Sequence, residues 1–337
     1  REIACDSAVL QMISADEYQA YGTTLINFAE KISSFSSPLA VGMSGNFRQM
    51  KRRILNIAVF RKETLYQKMR ALIIYLVISA VFIGCTPILS IDASTQSVYH
   101  FSDTDKNISL LDISETFGTY DGSFVLYDNN LDSWKIYDLE EATKRIPPES
   151  TYKIYDALLG LESGIITPEH SSMTWNGDAF PFPSWEADQD LNSAMQNSVN
   201  WYFQAIDSQL GINRVQEFLN KIEYGNQTTS SNLDLYWSDF SLKISPLEQV
   251  TLLKKFNTNE FHLNFQNVFS VKNAIKIAST PNGNFYGKTG TGRVNGQDVN
   301  GWFIGYIETA DNTYFFATNI GADSNATGSN ATEITMS

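Results

Sequence analysis

The feature that most restricts how this chain can fold is a run of 21 residues without a charged side chain, at positions 71–91. A helix needs about 20 apolar residues to cross a bilayer, so the run is predicted to be a transmembrane helix. A buried core helix is the alternative, but such a helix is usually apolar on one stripe, whereas this run is apolar all round. The chain is therefore predicted to have one part on each side of a membrane.

The charges beside this run predict its orientation. Four basic residues precede it, whereas acidic residues follow it and the next basic residue is Lys106. The positive-inside rule then places residues 1–70 in the cytoplasm and the later residues outside the cell. The basic residues before the run are Arg61, Lys62, Lys68 and Arg70.

Overall charge argues against a nucleic-acid partner. The net charge is −13; residues 1–70 hold 10 basic and 6 acidic side chains, whereas residues 71–337 hold 14 and 31. Contacts with phosphates need a basic face, and the larger part of the chain is strongly acidic. We therefore expect no direct binding of nucleic acid.

The order of patterns beyond the run predicts an α+β fold. Segments 122–127 and 134–137 are short β patterns joined by a turn, and helical patterns follow near 150–163, 190–209, 212–221 and 245–256. Two more strands are predicted at 300–308 and 313–319. This order favours an antiparallel sheet flanked by helices, within a domain at 105–337 that a linker at 92–104 joins to the membrane helix. Residues 1–70 read as a small helical segment, and helical patterns at both ends lead us to expect a piece of a longer chain.

The first candidate for chemistry is a Ser-x-x-Lys pair, Ser150 and Lys153. Pro147 and Pro148 precede it and apolar residues follow at helical spacing, so a helix is predicted to begin at the serine. The two side chains then share one face, and a buried lysine with a lowered pKa can act as base toward the hydroxyl. A helix cap with a surface lysine is the plainer reading of this pair alone.

Two later motifs strengthen the interpretation of Ser150 and Lys153 as a catalytic pair. Ser198, Val199 and Asn200 lie in a stretch predicted to be helical, where the serine could relay a proton or contact the substrate. Lys288 begins a Lys-Thr-Gly-Thr sequence on a predicted strand, which offers a cation and hydroxyl groups to a carboxylate. Glycine in that strand lets a ligand lie close to the backbone.

Together these motifs resemble the penicillin-recognising serine proteins, and class D β-lactamases in particular. Further similarity lies in the Tyr-Gly-Asn sequence at 224–226 and in the aromatic pair at 236–237. The segments 122–127, 194–202, 241–250 and 286–291 resemble still more the extracellular sensor of β-lactam signal transducers of the BlaR/MecR type.

The resemblance implies a serine acylation chemistry. Ser150 would be the nucleophile, Lys153 the base in an N-carboxylated form, and Ser198 a further catalytic residue. The backbone N–H groups of Ser150 and Thr291 would form the oxyanion hole. The substrate-binding residues implied are Thr151, Val199, Asn200, Trp237, Lys288, Thr289, Gly290 and Thr291.

Two departures from the class D pattern favour a long-lived acyl-enzyme over turnover. No Lys or Arg follows Arg293, where those enzymes place an arginine for the carboxylate, and Ser238 stands where they tend to have leucine. The predicted function is therefore a transmembrane β-lactam sensor that induces resistance. A membrane-anchored class D β-lactamase and a penicillin-binding transpeptidase remain the alternatives.

The first residues resemble the zinc peptidase domain of the same transducers. The segment from Glu2 to Asp6 resembles its Glu-x-x-Cys-Asp sequence, so the resemblance makes Glu2 a zinc ligand in an intact domain. The family also needs a His-Glu-x-x-His motif, which this sequence lacks. No metal is therefore expected in this chain, whereas zinc in the full-length protein and a cytoplasmic repressor as downstream target are implied.

Overall fold

The structure is a computed structural model that describes residues 2–33, 47–62, 97–102 and 106–337 apart from 231, with residues 66, 69, 70, 72 and 104. The chain forms two compact units, Arg1–Ile88 and Leu89–Ser337. The predicted membrane span at 71–91 lies outside the described residues except for Leu72. Within the part that the structure describes, no helix combines the length and apolar character needed to cross a bilayer.

The first unit is helical, as predicted. It contains α1 (Glu2–Met12), a 3-10 turn (Ala15–Glu17), α2 (Tyr18–Ser33) and α3 (Phe47–Val59). Its centre is polar: Arg53 donates two hydrogen bonds of 2.7 Å to the buried carboxylate of Asp6, and Tyr21 donates a third of 2.9 Å. The hydrogen bonds from Arg53, the largest cause, hold the pKa of Asp6 below its usual range.

The second unit has a seven-stranded sheet with helices on both faces. Its strands are β1 (Asn107–Leu110), β2 (Asp121–Asp128), β3 (Ser133–Tyr137), β4 (Lys276–Thr280), β5 (Gly283–Val294), β6 (Gln297–Glu308) and β7 (Thr313–Gly321). Its helices are α4 (Ser114–Phe117), α5 (Leu139–Thr143), α6 (Lys153–Glu162), α7 (Leu191–Gln196), α8 (Asn200–Leu210), α9 (Ile212–Ile222), α10 (Pro246–Asn257), α11 (Phe265–Ala274) and α12 (Gly328–Met336).

The sheet order is β1-β3-β2-β7-β6-β5-β4, which confirms the α+β prediction with one correction. Neighbours are antiparallel except β1, which runs parallel to β3 and pairs Ile108 with Trp134. The sheet is therefore mixed. β1 is too short and too exposed to show an alternating pattern, and that is why the sequence did not reveal it.

Side chains along the central strands point alternately to the two faces of the sheet, so each face has its own hydrophobic core. On β6, Trp302 and Ile304 lie in the larger core, which the α6, α8 and α10 helices complete. Phe303 points the other way and joins Phe316 in a smaller core with α12. Trp302 also donates a hydrogen bond of 2.8 Å from Nε1 to the carbonyl of Pro147, which fixes the chain just before Ser150 on the sheet.

The Tyr-Gly-Asn motif at 224–226 has a structural role. Gly225 has φ +52°, and a Cβ there would lie 1.9 Å from the carbonyl oxygen of Lys243. Asn226 ties the same loops together, since its Nδ2 donates to Ser241 O at 2.7 Å and its Oδ1 accepts from Lys243 N at 2.9 Å. These contacts with residues 241–243 hold in place the segment that leads from Trp237 to α10.

Replacing Gly225 with alanine is expected to lower the free energy of unfolding of the second unit by about 3 kcal/mol, because backbone strain and a steric clash add. Gly164→Ala is the matched control: it has φ +71° but nothing within 4 Å of the new Cβ, so a loss of about 1 kcal/mol is expected. Tryptophan fluorescence during denaturant unfolding measures this, since all six tryptophans lie in the second unit. Equal losses of unfolding free energy in the two variants would show that the close approach of Gly225 to Lys243 O does not add to the loss.

Candidate active site

Ser150 lies in a 3-10 turn, Glu149–Tyr152, that runs directly into α6. The predicted helix start is therefore confirmed, with its first turn tightened. Thr151 N–H donates to Pro148 O at 3.1 Å, which closes that turn. The amine Nζ of Lys153 lies 2.8 Å from Ser150 Oγ, so the i, i+3 spacing brings base and nucleophile into hydrogen-bond contact.

Lys153 is held in a dry environment. Its side chain is 1% exposed, and the rings of Phe203 and Trp237 each lie 5.6 Å from Nζ. Burial lowers the pKa of Lys153 to about 8, so a substantial fraction is neutral near physiological pH. Its second polar partner is Asn200, whose Oδ1 lies 2.7 Å from Nζ. Asn200 therefore contacts the base directly, a contact that the sequence reading did not assign.

The Ser198 motif does not lie within a helix, and this part of the prediction is wrong. α7 ends at Gln196 and α8 begins at Asn200, and Ser198 between them has φ +53°. The apolar residues of α7 and α8 continue a single pattern, so the sequence alone predicts one helix here. The left-handed break turns the hydroxyl of Ser198 toward Lys288, whose Nζ donates a hydrogen bond to it.

The Lys-Thr-Gly-Thr sequence lies on β5, as predicted, beside the nucleophile. β4 pairs with β5 only as far as Tyr286, so the later part of β5 has β6 as its one neighbour within the described sheet. A Cβ at Gly290 would lie 3.2 Å from Pro148 O and 3.3 Å from Ser150 N. Glycine is thus required at this position for the strand to approach the 3-10 turn so closely.

The site contains two buried amines, those of Lys153 and Lys288, within an acidic domain. Lys288 is 5% exposed and donates to Thr289 O at 2.9 Å as well as to Ser198. Burial, helped by the charge of Lys153, lowers the pKa of Lys288 well below its usual value. A bound anion would reverse this shift by stabilising the charged form, so the site is suited to a ligand with a carboxylate.

Three predicted substrate contacts have other partners in this structure. The hydroxyl of Thr151 is fully buried, donates to Pro148 O at 2.6 Å and accepts from Gln249 at 2.9 Å. Thr291 Oγ1 accepts from the N–H of Gly328 at 2.9 Å, at the start of α12. Val199 is fully buried and helps to keep the site dry. Thr151 therefore supports the turn, and the hydroxyl of Thr291 supports the start of α12.

The sequence reading missed three acidic residues around this site. Glu149 directly precedes the nucleophile and is 6% exposed. Asp156 lies one turn beyond Lys153 on α6, and Asp207 lies on α8; both are fully buried, and burial raises the pKa of each, that of Asp156 to about 8. Tyr236 donates to Asp207 at 3.3 Å. The one sequence feature that could have pointed to any of these acidic residues is the position of Asp156, three residues after Lys153.

Glu2, which the resemblance makes a zinc ligand only in an intact peptidase domain, lies at the surface of the first unit. Its carboxylate is 71% exposed and forms an ion pair with Arg53 at 3.4 Å. Within the described ranges, no cluster of three or more His, Cys, Asp or Glu side chains could hold a metal ion. A single acidic side chain does not make a zinc site, so the residues present do not fit zinc.

Comparison with known proteins agrees with this geometry. Residues 122–337 match the penicillin binding protein transpeptidase domain, and residues 1–57 match the BlaR1 peptidase M56 family. The regulatory protein BlaR1 of Bacillus licheniformis is 42% identical over 100% of this chain, and the methicillin resistance mecR1 protein of Staphylococcus aureus is 34% identical over 99%. The chain covers 56% of each of these relatives.

Among solved structures, the C-terminal domain of the Bacillus licheniformis BlaR penicillin-receptor superposes with a TM-score of 0.67. It is 46% identical in sequence, and the match covers 69% of this chain and 95% of that domain. The matched family model covers well over half of the chain. The chain therefore belongs to the penicillin-binding transpeptidase domain family, and BlaR1 and MecR1 regulatory proteins are among its close homologues.

Proposed function

We propose that this chain is the sensing part of a membrane regulatory protein that responds to β-lactam antibiotics. The observation that carries the proposal is the 2.8 Å contact between the buried amine of Lys153 and Ser150 Oγ, opposite a second buried amine, that of Lys288. This arrangement supplies a nucleophile, a base and an anion-binding group around one cleft. The likeness to a penicillin receptor supports the same reading.

In the proposed reaction, the carboxylate of the antibiotic pairs with Lys288, and the hydroxyl groups of Thr289 and Ser198 lie beside it. Ser150 Oγ attacks the lactam carbonyl while its proton moves to the neutral amine of Lys153. The backbone N–H groups of Ser150 and Thr291 receive the oxyanion. When the lactam C–N bond breaks, the nitrogen takes the proton that Lys153 accepted, relayed through the Ser198 hydroxyl, and the amine of Lys153 is neutral again.

N-carboxylation of Lys153 belongs to this proposal. A neutral amine in a dry pocket can react with carbon dioxide to form a carbamate with release of one proton, and a carbamate oxygen would then accept the proton of Ser150. The fully buried side chain of Val199 and the rings of Phe203 and Trp237 provide such a pocket. Asn200 contacts Nζ directly and provides an amide to bind either form.

We propose that the adduct is long-lived and acts as a signal. Ser238 is half-buried and its hydroxyl donates to Leu235 O at 3.1 Å, so a polar side chain follows Trp237 where class D enzymes tend to have an apolar leucine. The absence of any Lys or Arg after Arg293 also removes the arginine typical of class D enzymes. Both features support a sensor over a hydrolase.

The wider assignment follows from the relatives and is part of the same proposal. Residues 1–70 would be cytoplasmic, residues 71–91 would cross the membrane and the second unit would lie outside the cell. The zinc peptidase domain of the full-length protein would receive the signal and act on a cytoplasmic repressor of resistance genes. The match of residues 1–57 to the M56 peptidase family supports this arrangement.

The lifetime of the adduct tests the proposal. Membranes that contain the chain are expected to take up a fluorescent penicillin at Ser150 and to keep the label for longer than one cell generation. The measurement is labelled protein on a denaturing gel after unreacted drug has been removed. Loss of label within minutes, with release of hydrolysed penicillin, would favour a class D β-lactamase instead. Turnover of a peptidoglycan peptide would favour a transpeptidase.

A further inference from the structure

Glu149, the residue before the nucleophile, has an unusual backbone conformation. Its φ is +52°, in the left-handed region that Gly, Asn and Asp adopt far more readily than Glu. Such strain persists only where the surrounding structure enforces it, and it is concentrated at functional sites. The N–H of Glu149 donates to Trp237 O at 3.1 Å, so the strained residue is held by the same segment that covers Lys153.

The side chain of Glu149 lies between the nucleophile and β5. A Cβ at Gly292 would lie 2.3 Å from Glu149 Oε1, and a Cβ at Gly290 would lie 3.1 Å from Glu149 Cβ. Asn300 Nδ2 donates to the same carboxyl at 3.3 Å and to Pro147 O at 3.1 Å. The carboxyl is therefore packed directly under the stretch of β5 whose central residue is Thr291.

We propose that Glu149 is a positioning residue for acylation: its side chain sets the spacing between the backbone N–H groups of Ser150 and Thr291, and only its neutral form allows fast acylation. The inference rests on the proposed acylation of Ser150 and adds to it a control by pH. A carboxylate at this position would place a negative charge beside the developing oxyanion, which the two N–H groups are there to stabilise.

The surroundings of Glu149 favour the neutral form. Burial is the largest influence and raises the pKa of Glu149 to about 8, while the amide of Asn300 and the charge of Lys153 oppose the rise. A cavity of about 250 Å³ adjoins it, and its charged groups are largely paired with each other: Lys144 with Glu141, and Arg293 with Asp298. The remaining charged side chain at this cavity is Asp121.

The sign of the pH effect follows directly. Below pH 8 most Glu149 is protonated and acylation is fast; as pH rises above 8, the carboxylate forms and the rate falls. Lys153 works in the opposite direction, because its pKa is also about 8 and its neutral form is the base. The charge of Glu149 also raises the pKa of Lys153, so a ratio of variant to wild-type rates reports the whole effect of that charge, at the oxyanion and through Lys153.

The test compares acylation of the wild-type chain and of Glu149→Gln by a fluorescent penicillin. The ratio of the variant rate constant to the wild-type one is expected to rise about tenfold between pH 6.5 and pH 9.0, since a group with pKa about 8 is about nine-tenths ionised at pH 9.0. The change should lie in the rate constant at saturating drug, not in the concentration that gives half of it. Glu141→Gln, a carboxyl at the rim of the same cavity, is the matched control and should give a flat ratio.

A second variant distinguishes the effect of the charge of Glu149 from the effect of the length of its side chain. Glu149→Asn keeps a residue suited to positive φ, and so should fold, but its side chain is too short to reach under Gly292. It is expected to be acylated about tenfold more slowly than Glu149→Gln at pH 6.5, because the oxyanion donors lose their spacing. Equal rates for the Asn and Gln variants would overturn the positioning role.

Other outcomes also decide the matter. A flat ratio for Glu149→Gln, or an equal rise for Glu141→Gln, would overturn the control by charge while leaving the acylation of Ser150 intact. If the wild-type chain takes up no label at any pH, the proposed function itself fails and this inference falls with it. The two failures are therefore distinguishable in one experiment.

Discussion

Replacing Ser150 with alanine is expected to abolish covalent labelling by a β-lactam, with a loss of more than a thousandfold in adduct formed. The reason is that the variant lacks the hydroxyl that, among the described residues, lies within hydrogen-bond distance of the Lys153 amine. Reversible binding should persist, because Lys288 and Ser198 keep their contact. Gel fluorescence measures the adduct, and displacement of a reversible ligand measures the binding.

Ser208→Ala serves as the control for this variant. Ser208 is an exposed serine on α8, and its loss should leave labelling at the wild-type level. Mass spectrometry of the digested wild-type chain should find the drug on the peptide that contains Ser150. Label on any other residue, or full labelling of the alanine variant, would contradict the assignment of the nucleophile.

Replacing Lys153 with methionine is expected to slow acylation by about a thousandfold, within the range that a positioned general base contributes. Methionine has a similar length and suits the apolar surroundings of Val199, Phe203 and Trp237, so the fold should be retained. The loss should appear in the rate constant at saturating drug. A residual slow reaction is expected, because the oxyanion donors and Lys288 remain.

The control here is Lys221→Met, since Lys221 is an exposed lysine on α9. It should acylate at the wild-type rate. An acylation rate of Lys153→Met within a few-fold of wild type would show that another group takes the proton from Ser150. The same variant should also lose any carbamate signal in carbon-13 spectra recorded with labelled bicarbonate.

Short spacings in the sequence predicted the centre of the site well. Ser150 and Lys153 share a helical face, so their contact could be predicted from spacing alone. The approach of Lys288 to Ser198 could not be predicted in this way, because it depends on strand order across the sheet. The motif resemblance supplied that pairing, since it treats the three motifs as parts of one cleft.

The predictions that failed concern backbone conformations that no sequence pattern indicates. Positive φ at Ser198 splits one apparent helix into two, and positive φ at Glu149 gives a charged residue a buried place beside the nucleophile. Both residues look ordinary in the sequence. β1 was missed because it is short and mostly exposed, and its parallel pairing with β3 changes an antiparallel sheet into a mixed one.

Strand order also determines when Ser150 and Lys288 can come together in a newly made chain. β2 pairs with β7, joining Asp121 to Gly321, and in the described sheet this pairing is the link between β1–β3 and β4–β6. Contacts between residues so distant in sequence form late, because a long loop must be closed first. A chain that is still on the ribosome, with β7 not yet made, holds Ser150 without the strand that carries Lys288 locked beside it. Under the proposed acylation, a chain that stops before β7 is therefore expected not to react with a β-lactam.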